Sequence, residues 1–218
     1  MSFQIALFDL DGTVLNTLDD LCDAANAVLA QNGLPSRTRD EIRSFVGNGI
    51  RKLIERAVPS GTSEALTDKV LVDFKTYYSA HCADKTAPYA GIPEMLAALR
   101  AAGVRTAVVS NKADFAVQSL AKQYFGDLFD MALGEDTQKR PAKPAPDMVY
   151  HVLDTLRADK GGAVYIGDSD VDVQTAQNAG LPCIAVTWGF RDRACLKEAG
   201  ATLFADTPAE LLNLILAP

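Results

Sequence analysis

The sequence is poor in the features that mark membrane, secreted or nucleic-acid-binding proteins. Its 218 residues hold no unbroken apolar stretch as long as a bilayer-crossing helix. The apolar stretch near the N-terminus is interrupted by Asp9 and Asp11, so the expectation is no secretory leader and a cytoplasmic location. Cysteine is scarce. Cys22, Cys82, Cys183 and Cys195 show neither close pairing nor metal-ligand spacing, and read as buried free thiols. The two histidines, His81 and His151, have no partner motif. Basic residues are outnumbered, 21 Lys and Arg against 28 Asp and Glu, and the net charge of -7 argues against a nucleic-acid partner. The same deficit requires that any anionic substrate find positive charge locally. There is no low-complexity linker and no internal repeat, and nothing in the pattern speaks to oligomeric state.

What is present begins with Asp9 and Asp11, in Phe8-Asp9-Leu10-Asp11-Gly12-Thr13-Val14. The apolar run Ile5-Ala6-Leu7-Phe8 before them reads as a buried strand, and the Gly-Thr after them as a turn. Two carboxylates one residue apart thus stand at the carboxyl end of a buried strand, where open α/β sheets bind ligands. Two readings are open. One is a Mg2+ site with a carboxylate left to attack an electrophile, since burying like charges is costly without a cation or substrate to pair them. The other is an inert Asx turn.

The length suits one large α/β domain, or a core carrying a smaller inserted one. After a first strand at 3–10, the pattern turns helical from Thr17. Leu18, Leu21, Cys22, Ala25, Val28 and Leu29 share a face, with Gly33 as stop signal. Thr38 and Glu41 form a capping box for a second helix, and helices are expected at 50–58 and 64–82. No strand is expected between Thr17 and Thr86, so residues 17–85 read as an all-helical insertion. Residues 1–16 and 86–218 form the remainder. After Pro88, helices at 92–102, 113–124, 146–156, 171–178 and 191–199 alternate with strands at 104–110, 129–133, 163–166, 183–186 and 202–204. A last helix opens at Thr207, with Pro208 at its first position and Glu210 completing a capping box. Repeated strand–helix units predict a Rossmann-like parallel sheet covered on both faces.

Further polar clusters follow apolar strands: Ser110-Asn111-Lys112, and Gly167-Asp168-Ser169-Asp170-Val171-Asp172. Between them Lys143-Pro144-Ala145-Pro146 opens a helix. In a parallel sheet these groups converge on one rim. A hydroxyl and backbone N–H groups at a helix N-terminus can cradle a phosphate, a lysine supplies positive charge, and Asp168 can join Asp9 as an oxygen ligand of Mg2+. Taken singly, Ser110-Asn111 also fits a helix cap, Lys143 a solvated loop lysine, and Asp168 to Asp172 an acidic helix start. Their joint occurrence in this order favours a site.

With these four clusters the chain resembles the haloacid dehalogenase-like hydrolase superfamily over essentially its whole length. Within the superfamily it is most similar to phosphoglycolate phosphatases with a helical cap. The resemblance is carried by Asp9-Leu10-Asp11-Gly12-Thr13, Ser110-Asn111, Lys143-Pro144, and Gly167-Asp168-Ser169 with Asp172. It implies a Mg2+-dependent phosphatase acting on small phosphate esters. Asp9 is then the nucleophile that forms an aspartyl-phosphate, and Asp11 protonates the leaving alcohol and deprotonates the attacking water. Asp9, Asp168 and the Asp11 main-chain carbonyl hold the metal, while Asp172 orients its waters or Lys143. Ser110 and the Asn111 backbone bind the phosphate, whose charge Lys143 offsets. Asn16 stands where many relatives carry aspartate, and Ser110 where close relatives often carry threonine.

The insertion is expected to read the leaving group through Gly47, Asn48 and Arg51 in Phe45-Val46-Gly47-Asn48-Gly49-Ile50-Arg51, a segment that also fits a plain interhelical turn. Rival readings share the scaffold. A dehalogenase has no use for Asp11. A phosphosugar mutase resembling β-phosphoglucomutase, a pyrophosphatase or a nucleotidase uses the same residues. A catalytically inactive binding module is the non-enzyme alternative.

Overall fold

The run Ile5–Phe8 has every side chain buried, and it forms the strand around which the others assemble (β1). The structure is a computed structural model describing residues 3–136 and 140–217. Residues 1, 2, 137–139 and 218 of the expected core range lie outside the described residues. The chain divides into two compact units, one of Met1–Leu15 and Pro88–Pro218, the other of Asn16–Ala87.

In the first unit, β1 is joined by β4 (Arg105–Ala113), β5 (Met131–Glu135), β6 (Ala163–Gly167), β7 (Cys183–Val186) and β8 (Leu203–Ala205). All pair in parallel, in the order β5-β4-β1-β6-β7-β8. β4 and β6 flank β1, so the strand order reverses there. This is the doubly wound α/β arrangement, whose ligand crevice lies beyond the carboxyl ends of the strands at that reversal. Its helices are α5 (Ile92–Ala101), α6 (Asp114–Phe125), α7 (Asp147–Thr155), α8 (Asp170–Ala179), α9 (Arg193–Glu198) and α10 (Pro208–Leu216). Alternate residues of each strand serve opposite faces. Ile5 and Leu7 join Val109, Tyr165, Met148, Val152 and Ala176 in one apolar cluster. Phe8, from the alternate register, meets Phe129 edge-on, and Phe129 in turn meets Phe125 of α6.

Most expected elements stand within a few residues of their predicted bounds, and three details differ. β4 continues through Ser110, Asn111 and Lys112 to Ala113, with its pairing to β5 shifting register between Val109 and Ala113. Ser110 and Asn111 are therefore strand residues and not a helix cap. The hydroxyl and backbone N–H groups expected at a helix N-terminus lie ahead of α6, which starts at Asp114 with no side-chain cap. At α10, Thr207 accepts from the Glu210 N–H, but Glu210 returns its carboxylate to the N–H of Asp206, leaving the capping box half made. The four cysteines are free, as expected, yet each is half-buried instead of sealed in the core. Cys183 has its thiol pushed up to about 12 by burial.

The second unit contains α1 (Leu18–Gln31), α2 (Arg39–Phe45), α3 (Gly49–Ala57) and α4 (Glu64–His81). Two short strands that pair with each other, β2 (Leu15–Asn16) and β3 (Ala87–Pro88), mark the places where the chain passes between the units. Leu21, Ala25, Val28 and Leu29 of α1 are buried, as are Ile42, Leu53, Ile54, Val70, Leu71 and Phe74. Cys22 is only half-buried on that helix. Tyr77 stacks on His81 with ring centroids 4.4 Å apart, while Phe74 stacks on Tyr78 in the core. The expected capping box of α2 is complete: Thr38 accepts from the Glu41 N–H, and Glu41 accepts from that of Thr38.

Asp20 closes this unit. Its buried carboxylate accepts from the Lys85 N–H at 2.9 Å, and from the Thr86 N–H and Thr86 hydroxyl at 2.8 Å each. It ties the start of α1 to the chain leaving α4. Removing an acceptor from buried donors costs about 1–3 kcal/mol per group left unpaired. Asp20→Ala is therefore expected to lower stability by about 2–4 kcal/mol, read as a reduced urea midpoint, and Asp20→Asn by less. An unchanged midpoint in Asp20→Ala would show that the clamp contributes nothing.

Candidate active site

The residues after β1 make a tight turn. The Asp9 N–H still donates to Ile166 O at 2.9 Å, after which Leu10 O accepts from the N–H groups of Thr13, Val14 and Leu15. Gly12 has φ 84°, and a Cβ there would stand 2.3 Å from Asp168 Oδ2. Glycine is needed both for the backbone angle and for that approach. The turn is pinned from β7's following loop, where Trp188 Nε1 donates to Thr13 O at 3.0 Å.

Asp9, Asp168 and Asp172 each place a carboxylate oxygen within 4.8 Å of the others. Asp168 ends β6. It accepts from the Thr13 hydroxyl at 2.8 Å and from the Phe190 N–H at 2.7 Å. Asp172 is in the first turn of α8 and completes a capping box with Ser169, accepting from the Ser169 N–H and, at 2.6 Å, from its hydroxyl. Lys143 joins the group from the loop after β5. Its ammonium is 2.9 Å from Asp9 Oδ1 and 2.8 Å from Asp172 Oδ1, with its side chain only 2% exposed. It also donates to the Tyr165 hydroxyl at 3.1 Å, which lies 3.2 Å from Val109 O.

These distances set the electrostatics. Burial, the Asp172 charge and Asp11 push the Asp9 carboxyl up to about 7, against the opposing pull of Lys143. Burial, then Asp172 and Asp9, push Asp168 up to about 8. Burial works against the charged form of Lys143, but Asp172 and Asp9 more than offset it and hold its pKa well above the usual lysine range. Burial drives the Tyr165 hydroxyl well above its ordinary value, keeping it a neutral donor. Three carboxyl groups share one lysine, so ionising all three together would leave negative charge uncompensated. Their donor set is all oxygen, which suits a hard divalent cation such as Mg2+.

The side chain of Asp11 turns elsewhere. Lys112 Nζ lies 3.0 and 3.2 Å from its two oxygens. Ser110 stands two residues before Lys112 and accepts from the Lys112 N–H at 3.2 Å. Asn111 binds the Lys143 main chain in both directions, donating to its carbonyl at 3.0 Å and accepting from its N–H at 2.7 Å. The Lys143–Pro144 peptide bond is cis.

Thus Asp9, Asp11, Ser110, Asn111, Lys143, Asp168 and Asp172 belong to the first unit, with Ser110 and Asn111 in the last part of β4 and the others following β1, β5 and β6. Gly47, Asn48 and Arg51 belong to the second. Gly47 has φ 122°. Asn48 Oδ1 accepts from Arg56 at 2.9 Å. Arg51 is more than half exposed and pairs with Asp68 at 3.0 Å and Glu55 at 3.8 Å. Sequence reasoning gave no role to Lys112, Tyr165, Thr13 or Trp188. Lys112 had a signal, since it adjoins Ser110-Asn111. Tyr165 had a weaker one, a single hydroxyl inside an aliphatic strand. The approach of Trp188 to Thr13 spans 175 residues of sequence and left no local mark.

Comparison with known proteins agrees with this architecture. The chain is 34% identical to the phosphoglycolate phosphatase of Neisseria meningitidis, over 91% of this chain and 86% of that protein. It is likewise 34% identical to the phosphoglycolate phosphatase of Psychrobacter arcticus, over 99% and 97% of the two chains. A crystal structure from Lactobacillus delbrueckii subsp. bulgaricus superposes with a TM-score of 0.94 and 37% identity, covering all of both chains. The family model described as haloacid dehalogenase-like hydrolase matches residues 6–186, and the chain belongs to that family.

Proposed function

We propose that the chain is a Mg2+-dependent phosphomonoesterase that hydrolyses small organic phosphates, 2-phosphoglycolate first among them, through an aspartyl-phosphate on Asp9. The observation that carries this reading is the division of labour among the carboxylates. Asp9, Asp168 and Asp172 crowd together, with Lys143 bridging Asp9 and Asp172, while Asp11, two residues from Asp9, pairs with its own lysine. The names of the relatives support the substrate.

In this reading the Asp9 carboxylate attacks phosphorus and the bond to the ester oxygen breaks. Asp11 delivers the proton that the leaving alkoxide requires. Asp11 then takes a proton from water as it attacks the phosphorus of the aspartyl-phosphate, releasing inorganic phosphate and free Asp9. One hard displacement is split into two in-line steps. Lys143 offsets charge on the phosphoryl oxygens while staying fixed by Asp172 and Tyr165, so little reorganisation accompanies the reaction. Ser110 and the Asn111 backbone hold the phosphate. Asp9, Asp168 and the Asp11 main-chain carbonyl would hold Mg2+, with Asp172 as outer support. Bound there, the cation would neutralise the carboxylates and stabilise charge on the phosphoryl group.

We further propose that the helical unit serves as a cap that selects among leaving groups through Gly47, Asn48 and Arg51. The pairs that Arg51 makes are exposed and individually weak, so an anion can displace them. A phosphosugar mutase, a pyrophosphatase or a nucleotidase would draw on the same core groups. Phosphate release measured across 2-phosphoglycolate, pyrophosphate, nucleotides and hexose phosphates, with Mg2+ and with chelator, separates them.

Asp9→Asn is expected to abolish phosphate release, by at least about 10³-fold, while the chain stays folded. Turnover at the wild-type rate would remove Asp9 as nucleophile. The raised Asp9 and Asp168 pKa values also give a sign for pH dependence. An acid whose folded pKa lies above its unfolded value contributes stability that is intact below the unfolded pKa and lost as pH rises through the folded one. Without metal, melting temperature is therefore expected to fall as pH rises from the ordinary carboxyl value of 3.8 towards about 7 to 8, and to level off above that. Mg2+ is expected to restore it, and more strongly at alkaline than at mildly acidic pH. A Mg2+ effect independent of pH would contradict binding at these carboxylates. Arg51→Ala is expected to reorder substrates more than it slows a neutral aryl phosphate, and uniform losses would count against a selecting role.

A further inference from the structure

The pairing of Lys112 with Asp11 sets a buried ammonium beside the residue proposed to serve the leaving oxygen. Lys112 reaches the rim from β4, and its side chain is 3% exposed, against 15% for Asp11. Lysine ammonium groups ordinarily extend to water and are rarely sealed in. Here the ammonium lies between the residue proposed to serve the leaving oxygen and the strand carrying Ser110, proposed to hold the phosphate. It therefore stands where the leaving group of a bound ester would begin.

The site's charges sharpen the point. Lys143 is committed to Asp9 and Asp172. Against a net charge of -7, an ester that brings a carboxylate as well as a phosphate needs a second local cation. Lys112 directs bonds at both oxygens of one carboxylate. An ammonium presents three donors, and by turning from one Asp11 oxygen it can hold a second carboxylate without leaving the first. Reach also fits. In an ester of a two-carbon hydroxy acid, the carboxylate oxygens lie about 3 Å from the ester oxygen by ordinary bond lengths. A group within hydrogen-bond distance of Asp11 can touch such a carboxylate while Asp11 touches the ester oxygen.

We propose that Lys112 is a specificity-determining residue that binds a carboxylate on the leaving group, so that the core itself favours phosphate esters of short hydroxy acids. The assignment rests on the phosphomonoesterase reading, and adds a selective element in the core to the one proposed for the helical unit.

The test compares kcat/KM for 2-phosphoglycolate with that for 2-hydroxyethyl phosphate, a near-isostere lacking the carboxylate. Wild type, Lys112→Gln and Lys112→Arg are each assayed with Mg2+ after a melting curve confirms folding. Wild type is expected to prefer the carboxylate ester. Lys112→Gln is expected to reduce that preference about 10- to 100-fold, the worth of a charge-assisted hydrogen bond, whatever its effect on turnover in general. Lys112→Arg is expected to recover part of it. A wild type that treats the esters alike, or a Lys112→Gln that slows both equally, overturns the proposal and leaves Lys112 as a counter-ion of Asp11 only. Calorimetric titration with glycolate and with inorganic phosphate gives a readout free of turnover. Lys112→Gln is expected to weaken glycolate binding more than phosphate binding, and equal weakening overturns the proposal. If wild type hydrolyses no ester at all, the phosphatase reading fails, while the glycolate titration still decides whether Lys112 binds a carboxylate.

Discussion

Like charge crowded into a buried space is the constraint on which the rest of this structure turns. Asp9, Asp168 and Asp172 stand too close together to be ionised without compensation. The surrounding chain supplies part of it. Lys143 bridges Asp9 and Asp172, Thr13 and the Phe190 N–H satisfy Asp168, and Ser169 satisfies Asp172. The remainder appears as raised carboxyl pKa values, about 7 for Asp9 and about 8 for Asp168, in an all-oxygen cluster able to hold a metal ion. Much of the local sequence is understandable as support for this one arrangement. Gly12 and Gly189 leave room for Asp168, and Asn111 grips the Lys143 main chain so that its ammonium is delivered in one place.

The sheet makes the crowding possible. Because β4 and β6 lie on either side of β1, the three carboxyl ends that bear polar clusters are adjacent, although the residues they bring together are about 100 to 160 positions apart in the chain. A parallel sheet points all those ends the same way, and the reversal of strand order at β1 opens the crevice above them. Apolar packing below the rim, with Tyr165 reaching up from the cluster that holds Ile5, Leu7 and Val109, fixes the strands against one another. The hydroxyl of Tyr165 is the point where this core touches the polar network.

Much of the fold could be read directly. The apolar run before Asp9, the change from helical periodicity to alternating strands and helices after Pro88, and the capping residues Thr38 and Thr207 are local signals. They stand in the structure close to where the pattern places them. Readings that depended on distant partners fared differently. Ser110-Asn111 looks like a helix cap because those residue types commonly cap. In the structure the Asn111 side chain bonds to Lys143 and the strand runs on. Glu210 has the spacing of a capping box, but its carboxylate meets the N–H of Asp206. Cysteines read as buried thiols prove half-buried.

By itself, then, the sequence determined the elements, their alternation, and which residue types with chemical potential follow which strands. These follow from periodicity, from turn residues and from the cost of burying charge, all of which act over a few positions. Tertiary structure alone decided the partners. It assigned Lys143 to Asp9 and Asp172, gave Asp11 to Lys112, brought Trp188 to the Thr13 carbonyl, and placed Asp20 against Thr86. An ion pair or hydrogen bond is effective only within about 3 to 4 Å. Distances of that kind between remote residues are set by how strands are ordered and registered, which no short stretch of sequence contains.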